Sequence, residues 1–145
     1  MDWESHFKKL EAMYLSANIN DWYKPTILIR KKFSEISIKV NPSFFHAANA
    51  LHGSVYFKLL DDAAFFAANS VVHDVFVLTT QFNIHLLRPV NSGVITSKGS
   101  LLFSSLNMLT AKAELFDEKK RLLAHGSGQF AKSKILLSSI ENYKN

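Results

Sequence analysis

Residues 54–70 read SVYFKLLDDAAFFAANS, and this segment constrains the architecture most strongly. It is rich in alanine and poor in β-branched residues, which predicts a helix. Only Lys58, Asp61 and Asp62 are charged within it, so the helix would be apolar around most of its circumference. A helix of that kind has to be buried on most sides.

The segments around this helix alternate between apolar and polar residues, as half-buried strands do. One strand is predicted before the helix, over 32–40. Four more are predicted after it: 75–87, 94–106, 107–116 and 122–134. Turn-forming residues separate them, and hairpin-linked strands form an antiparallel sheet. We therefore predict an α+β fold in which a curved antiparallel sheet wraps around one long central helix.

A second, N-terminal helix is predicted over 3–17, with Asp2 as its N-cap. Four large apolar residues spaced by four, three and four share one face of it: Trp3, Phe7, Leu10 and Tyr14. We expect residues 1–25 to form this helix and a connector, 26–137 a single domain, and 138–145 a frayed polar tail.

The composition narrows the classes of partner. A formal charge of +5 suits an anionic ligand, but the basic residues are scattered, so we expect no nucleic-acid partner. The apolar run from Ala63 to Ala68 is far shorter than a membrane span, and the N-terminus lacks a signal-peptide core, so we expect a cytoplasmic protein without a membrane partner. The absence of cysteine excludes thiolate zinc sites, and the histidines lack metal-ligand spacing. We expect neither metal nor cofactor.

The adjacent carboxylates of the central helix are the first candidates for chemistry. Helical spacing puts Asp61 on the side of Phe57 and Phe65, whereas Asp62 lies nearer Lys58. One carboxylate therefore faces apolar surroundings, where ionisation is costly and such groups often mark function. The alternative is that Lys58 pairs with either aspartate at the helix surface and that the pair has no catalytic role.

The tripeptide His52-Gly53-Ser54 immediately precedes this helix. Glycine admits close approach to the backbone, and free N–H groups at a helix N-terminus stabilise negative charge. An oxyanion donor and a partly desolvated carboxylate are two ingredients of acyl transfer.

Two stretches resemble the PaaI-type acyl-CoA thioesterases of the hotdog superfamily. They are NALHGSVYFKLLD, residues 49–61, and TTQFNIHLLRP, residues 79–89. The family signature is His-Gly-Gly followed by an aspartate eight residues after the first glycine, and Gly53 and Asp61 have that spacing. The similarity extends over residues 36–132.

This resemblance implies a homodimer, or a dimer-of-dimers tetramer, with active sites at the subunit interface. It implies that the Gly53 N–H polarises the thioester carbonyl. It also implies that Asp61 of the neighbouring subunit is the general base or nucleophile, with the Thr79 hydroxyl holding the attacking water.

Three positions depart from the family pattern. Ser54 replaces the second glycine, and His46 stands where asparagine is usual. Phe103–Leu106 replaces a basic, glycine-containing turn that often meets the coenzyme A phosphates, so Arg88 becomes the first candidate for that contact, unless the thioester carrier differs. The other residues expected at the carbonyl or the substrate are His52, Asn49, Phe57 and Phe65.

The leading hypothesis is hydrolysis of an acyl-CoA thioester. A non-catalytic acyl-CoA-binding module is an alternative, which the departures at Ser54 and Phe103–Leu106 favour. A hotdog dehydratase or hydratase is another, with His46 or His52 and Asp61 facing one substrate carbon.

Overall fold

The computed structural model describes all 145 residues. Its three helices are α1 (Trp3–Leu15), α2 (Asn20–Tyr23) and α3 (Gly53–Asn69). Its six strands are β1 (Thr26–Arg30), β2 (Phe33–Lys39), β3 (Val75–Leu86), β4 (Val94–Ser104), β5 (Met108–Phe116) and β6 (Leu122–Leu136). Short 3₁₀ turns follow β2 at Pro42–Phe44 and β6 at Leu137–Ser139. None of the helices is both long and apolar enough to cross a membrane.

The strands form one antiparallel sheet in the order β1-β2-β4-β5-β6-β3. This sheet packs around α3, whose apolar residues are buried along nearly its whole length. The alternating apolar residues of β5 are all buried: Leu109, Ala111, Ala113 and Leu115. The hotdog fold is therefore confirmed, and its central helix is the segment quoted first.

Close contact between α3 and β4 is possible because small residues meet there. Ala63 and Ala64 are fully buried, and Gly99 of β4 lies directly against their backbone. The Ser34 hydroxyl of β2 donates to the Ala63 carbonyl at 2.6 Å. These contacts fix the distance between α3 and the sheet. They therefore also fix the positions of the charged side chains on α3.

Replacing Gly99 with alanine should destabilise the protein strongly. An added Cβ would lie 2.1 Å from the Ala63 carbonyl oxygen, so helix or strand must shift. We expect a loss of about 1 to 3 kcal/mol in the free energy of unfolding, measured by urea titration. Ser100→Ala on the neighbouring position, which faces away from α3, is the matched control and should change it little.

Strand β1 was not predicted, and neither was the four-residue helix α2. Residues 26–30 pair with 33–37 in a hairpin whose turn contains Lys32 at φ 65°. Because that left-handed position is filled by lysine rather than by glycine or asparagine, the sequence carries no usual hairpin signal. The strand prediction over 32–40 therefore captured only the second arm of this hairpin.

Helix α1 begins as predicted, with the Asp2 side chain accepting from the Ser5 N–H at 3.1 Å.

The tail after Ser138 differs from the expected frayed segment. Tyr143 packs against the core, and its hydroxyl lies 2.6 Å from His6 Nδ1 of α1. Aromatic contact with a buried histidine orders this polar end.

Candidate active site

Asp61 lies in an apolar cavity of about 310 Å³ between α1, α3 and β3. Its Oδ1 accepts a hydrogen bond of 2.8 Å from the Thr79 hydroxyl. A β-bulge in β3 directly after Thr79 leaves Thr80 without a register partner on β6, and such bulges re-aim neighbouring side chains. Most of the other residues lining the cavity are apolar: Met13, Ala17, Ile19, Phe65, Phe66, Phe76 and Leu78.

Burial in this cavity raises the pKa of Asp61 from 3.8 to about 6. The Thr79 hydrogen bond opposes the rise, the neighbouring Asp62 adds to it, and Lys58 opposes it again. A carboxylate with a pKa near neutrality is ionised under ordinary conditions and is still basic enough to take a proton from water.

The raised pKa has a consequence for stability with a defined sign. Because the folded state binds the Asp61 proton more tightly than the unfolded state does, ionised Asp61 destabilises the fold above about pH 6. We expect the free energy of unfolding of Asp61→Asn at pH 8 to exceed that of the wild type by about 1 to 3 kcal/mol. This difference, measured by urea unfolding, should shrink as the pH falls from 6 to 4. If the stability advantage of Asp61→Asn grew as the pH fell, Asp61 would not have a raised pKa in the folded state.

The second carboxylate, Asp62, has different surroundings. Lys58 Nζ lies 2.5 Å from Asp62 Oδ2, and the Tyr14 hydroxyl of α1 donates to the same oxygen at 2.7 Å. The Lys58 ammonium also lies about 5 Å from the ring centres of Tyr14 and Tyr23. We call Tyr14, Tyr23, Lys58 and Asp62 the Asp62 cluster. The ion pair thus forms with Asp62, and Asp61 is left without a cation partner.

Gly53 is the first residue of α3, where a helix has no internal acceptor for the N–H. The His52 ring caps the helix by accepting from the Ser54 N–H at 3.0 Å, and the Gly53 N–H has no acceptor within the chain. Gly53 lines a separate cavity of about 290 Å³, which His46 and Arg88 also line. An unpaired N–H at a helix N-terminus can stabilise a developing oxyanion.

Some of the other predicted site residues make local hydrogen bonds, and others are exposed to solvent. Both Ser54 and His46 are tied locally, the Ser54 hydroxyl to the His52 ring at 2.8 Å and His46 Nδ1 to the Ala48 N–H at 3.0 Å. Asn49 is exposed with φ 64°. Phe57 is 39% exposed, in contrast to Phe65, which is buried beside Asp61.

Residues 48–124, just over half of the 145, match the model of the thioesterase superfamily. The chain belongs to the thioesterase superfamily. It is a thioester hydrolase. No functionally curated protein matches the chain in sequence.

Solved structures of similar shape agree with the fold of this thioesterase. The E. coli PaaI protein from the phenylacetic acid degradation operon has a TM-score of 0.84 at 17% identity, covering 92% of this chain and 96% of that one. A thioesterase of Haemophilus influenzae has a TM-score of 0.77 at 18% identity, with coverages of 86% and 88%. A conserved protein of Pseudomonas aeruginosa has a TM-score of 0.76 at 20% identity, with coverages of 82% and 96%. Because the sequence identities are this low, the structural similarity shows a shared fold and no more.

Within one chain of this thioesterase, Asp61 and the Gly53 N–H do not share a cavity. Eight residues of helix separate them, an axial rise of about 12 Å. A thioester carbonyl has to lie about 3 Å from both an attacking group and an oxyanion donor. A single chain therefore does not bring these two groups to one carbonyl.

The Tyr14 hydroxyl is the contact that sequence reasoning missed. Tyr14 was assigned to the packing face of α1, and nothing local shows that its hydroxyl reaches Asp62, 48 residues away. No group of three or more histidine or carboxylate side chains is arranged to hold a metal ion.

Proposed function

We propose that this thioesterase hydrolyses acyl-CoA thioesters, with Asp61 as general base or nucleophile. The observation that carries the proposal is the Asp61–Thr79 pair: a largely buried carboxylate, held by a hydroxyl at 2.8 Å, at the wall of an apolar cavity. The cavity suits the acyl group, and its volume of about 310 Å³ accommodates an aryl or medium-length chain.

The chemistry needs few groups because a thiolate leaves readily. As a base, Asp61 takes a proton from a water molecule that Thr79 orients, while the carbonyl oxygen accepts from the Gly53 N–H. The tetrahedral intermediate then collapses, the C–S bond breaks, and the thiolate takes up a proton. As a nucleophile, Asp61 attacks the carbonyl carbon, the C–S bond breaks and the thiolate leaves, and water then hydrolyses the mixed anhydride to the free acid and restores the Asp61 carboxylate.

A second copy of the chain supplies the missing half of each site in this proposal. Two-fold symmetry makes a self-complementary interface, so Asp61 of one subunit can meet Gly53 of the other, and the reverse. This arrangement explains why a single chain carries both groups in separate cavities.

The β3 edge of the sheet is the surface we assign to that dimer. β3 is twelve residues long, and one side of it pairs with no other strand. It contains no lysine, proline or acidic residue, although proteins usually protect exposed edges with such residues. The apolar side chains of Leu78 and Leu86 are about half exposed along it. Both half-sites adjoin β3, since Leu78 lines the Asp61 cavity and Leu86 the Gly53 cavity.

We expect the protein to sediment with at least twice the chain mass of 16.4 kDa at micromolar concentration. Leu78→Lys, which places a charge on the β3 edge, should shift the mass towards the monomer in analytical ultracentrifugation. The matched control is Leu28→Lys on β1, the opposite edge of the sheet, which should leave the mass unchanged. A wild type that sediments as a monomer would exclude the composite site.

Arg88 is our candidate for the coenzyme A phosphates. Its backbone is fixed, because its carbonyl accepts from the Tyr56 hydroxyl at 2.7 Å and its N–H donates to Leu123. Its side chain is exposed in the Gly53 cavity. The hairpin tip at Phe103–Leu106 offers no cation and exposes apolar side chains instead.

A thiol-release assay with aryl-, short-, medium- and long-chain acyl-CoAs tests the function. We expect turnover that favours acyl groups small enough for the Asp61 cavity. Hydration of an enoyl-CoA without thiol release would instead indicate a hydratase. Tight binding without turnover across the panel would indicate a binding module.

A further inference from the structure

The Asp62 cluster places an ion pair beside Asp61 in a helix that is otherwise free of charge. Side chains from three helices form the cluster, and Lys58 is only 11% exposed. Removing both members of an ion pair from water is costly, and apolar residues often fill such positions at no loss of stability. Packing alone therefore does not explain why Lys58 and Asp62 are charged residues.

The geometry shows what the pair does to its neighbour. Asp62 follows Asp61 directly on α3, so its negative charge opposes ionisation of Asp61, whereas the Lys58 ammonium favours it. Because Lys58 lies 2.5 Å from Asp62, the two opposite charges offset each other in part at Asp61. The Tyr14 hydroxyl adds a further donor to Asp62, and the rings of Tyr14 and Tyr23 hold the ammonium in place.

We propose that Lys58, Asp62 and Tyr14 act as positioning residues that balance the charge felt by Asp61, which makes the N-terminal helix part of the catalytic apparatus. This inference rests on the proposed function, because it concerns the group assigned there to catalysis. The charged and titratable groups facing Asp61 are Asp62 and Lys58 on α3 and Tyr14 on α1, with the neutral Thr79 on β3.

The test uses two substitutions with opposite expected signs and a third with a smaller expected effect. Asp62→Asn removes a like charge and leaves the ammonium, so Asp61 should titrate lower by about one pH unit. Lys58→Met leaves the Asp62 charge without its cation, so Asp61 should titrate higher by about one pH unit. Tyr14→Phe removes one hydrogen-bond donor from Asp62. It should raise the titration midpoint of Asp61, but by less than Lys58→Met does.

Two readouts follow the same group. The titration of Asp61 is measured by ¹³C NMR on protein labelled at the aspartate carboxyls, assigned with Asp61→Asn. The acid limb of kcat/KM for thiol release is measured in parallel. Lys98→Met and Glu35→Gln break an exposed ion pair of 3.8 Å on strands β4 and β2. They are matched controls that should move neither midpoint.

Midpoints that move down for Asp62→Asn and up for Lys58→Met in folded protein support the inference. Movement in the same direction, or none, overturns it. If Lys58→Met does not fold, Tyr14→Phe carries the same expected sign. If the NMR midpoints move as expected while no acyl-CoA is hydrolysed, the proposed function fails and the charge balance stands.

Discussion

Asp61→Asn is expected to abolish most thioester hydrolysis, lowering kcat by about 10²- to 10⁴-fold. Asparagine keeps the shape of the side chain and can still accept from the Thr79 hydroxyl, but it cannot take a proton from water or attack a carbonyl. Since burial makes the ionised carboxylate costly to the fold, the variant should be inactive and more stable at once.

This combination separates catalysis from structural damage. Thiol release from the best acyl-CoA of the panel gives kcat, and circular dichroism with urea unfolding shows that the fold is kept. Asp74→Asn in the exposed turn before β3 is the matched control, because it makes the same chemical change at a side chain that lines neither cavity. Undiminished kcat in Asp61→Asn would remove this residue from the mechanism.

Gly53→Pro should have the second large effect, a fall in kcat of about 10²- to 10³-fold. Proline deletes the N–H that is assigned to the carbonyl oxygen. The helix should tolerate it, because proline is favoured at the first helical position and His52 has the extended conformation that a following proline requires. The change therefore removes one donor without breaking α3.

Gly53→Ala is the control for crowding. A Cβ at this position would lie 3.3 Å from Leu86 Cδ1, the end of a flexible side chain, and the N–H remains. Alanine should retain most of the turnover that proline loses, in the same thiol-release assay. Equal loss in both variants would show that space, rather than the hydrogen bond, matters at Gly53.

Much of the fold was readable from local patterns. The composition of residues 54–70 required a buried helix, and alternation after it predicted the strands that became β3 to β6. The helical spacing that set Asp61 apart from Asp62 also holds in the structure, where Lys58 pairs with Asp62. These features depend on neighbours two to four residues apart, which a sequence displays directly.

What the sequence did not reveal depends on distant contacts. Strand β1 was hidden because Lys32 fills a turn position that usually carries glycine or asparagine. The donation from Tyr14 to Asp62 and the contact of Tyr143 with His6 join segments 48 and 137 residues apart. The separation of Gly53 and Asp61 into two cavities emerged only when helix and sheet were assembled.

Mixing the two inactive variants tests the composite site most directly. In a heterodimer of Asp61→Asn and Gly53→Pro, a site built across the interface has one intact copy, with Asp61 from one chain and Gly53 from the other. Random reassortment makes about half of the dimers mixed, so we predict recovery of about a quarter of the wild-type thiol-release rate. If the mixture releases no more thiol than the two variants do separately, the site does not form between subunits.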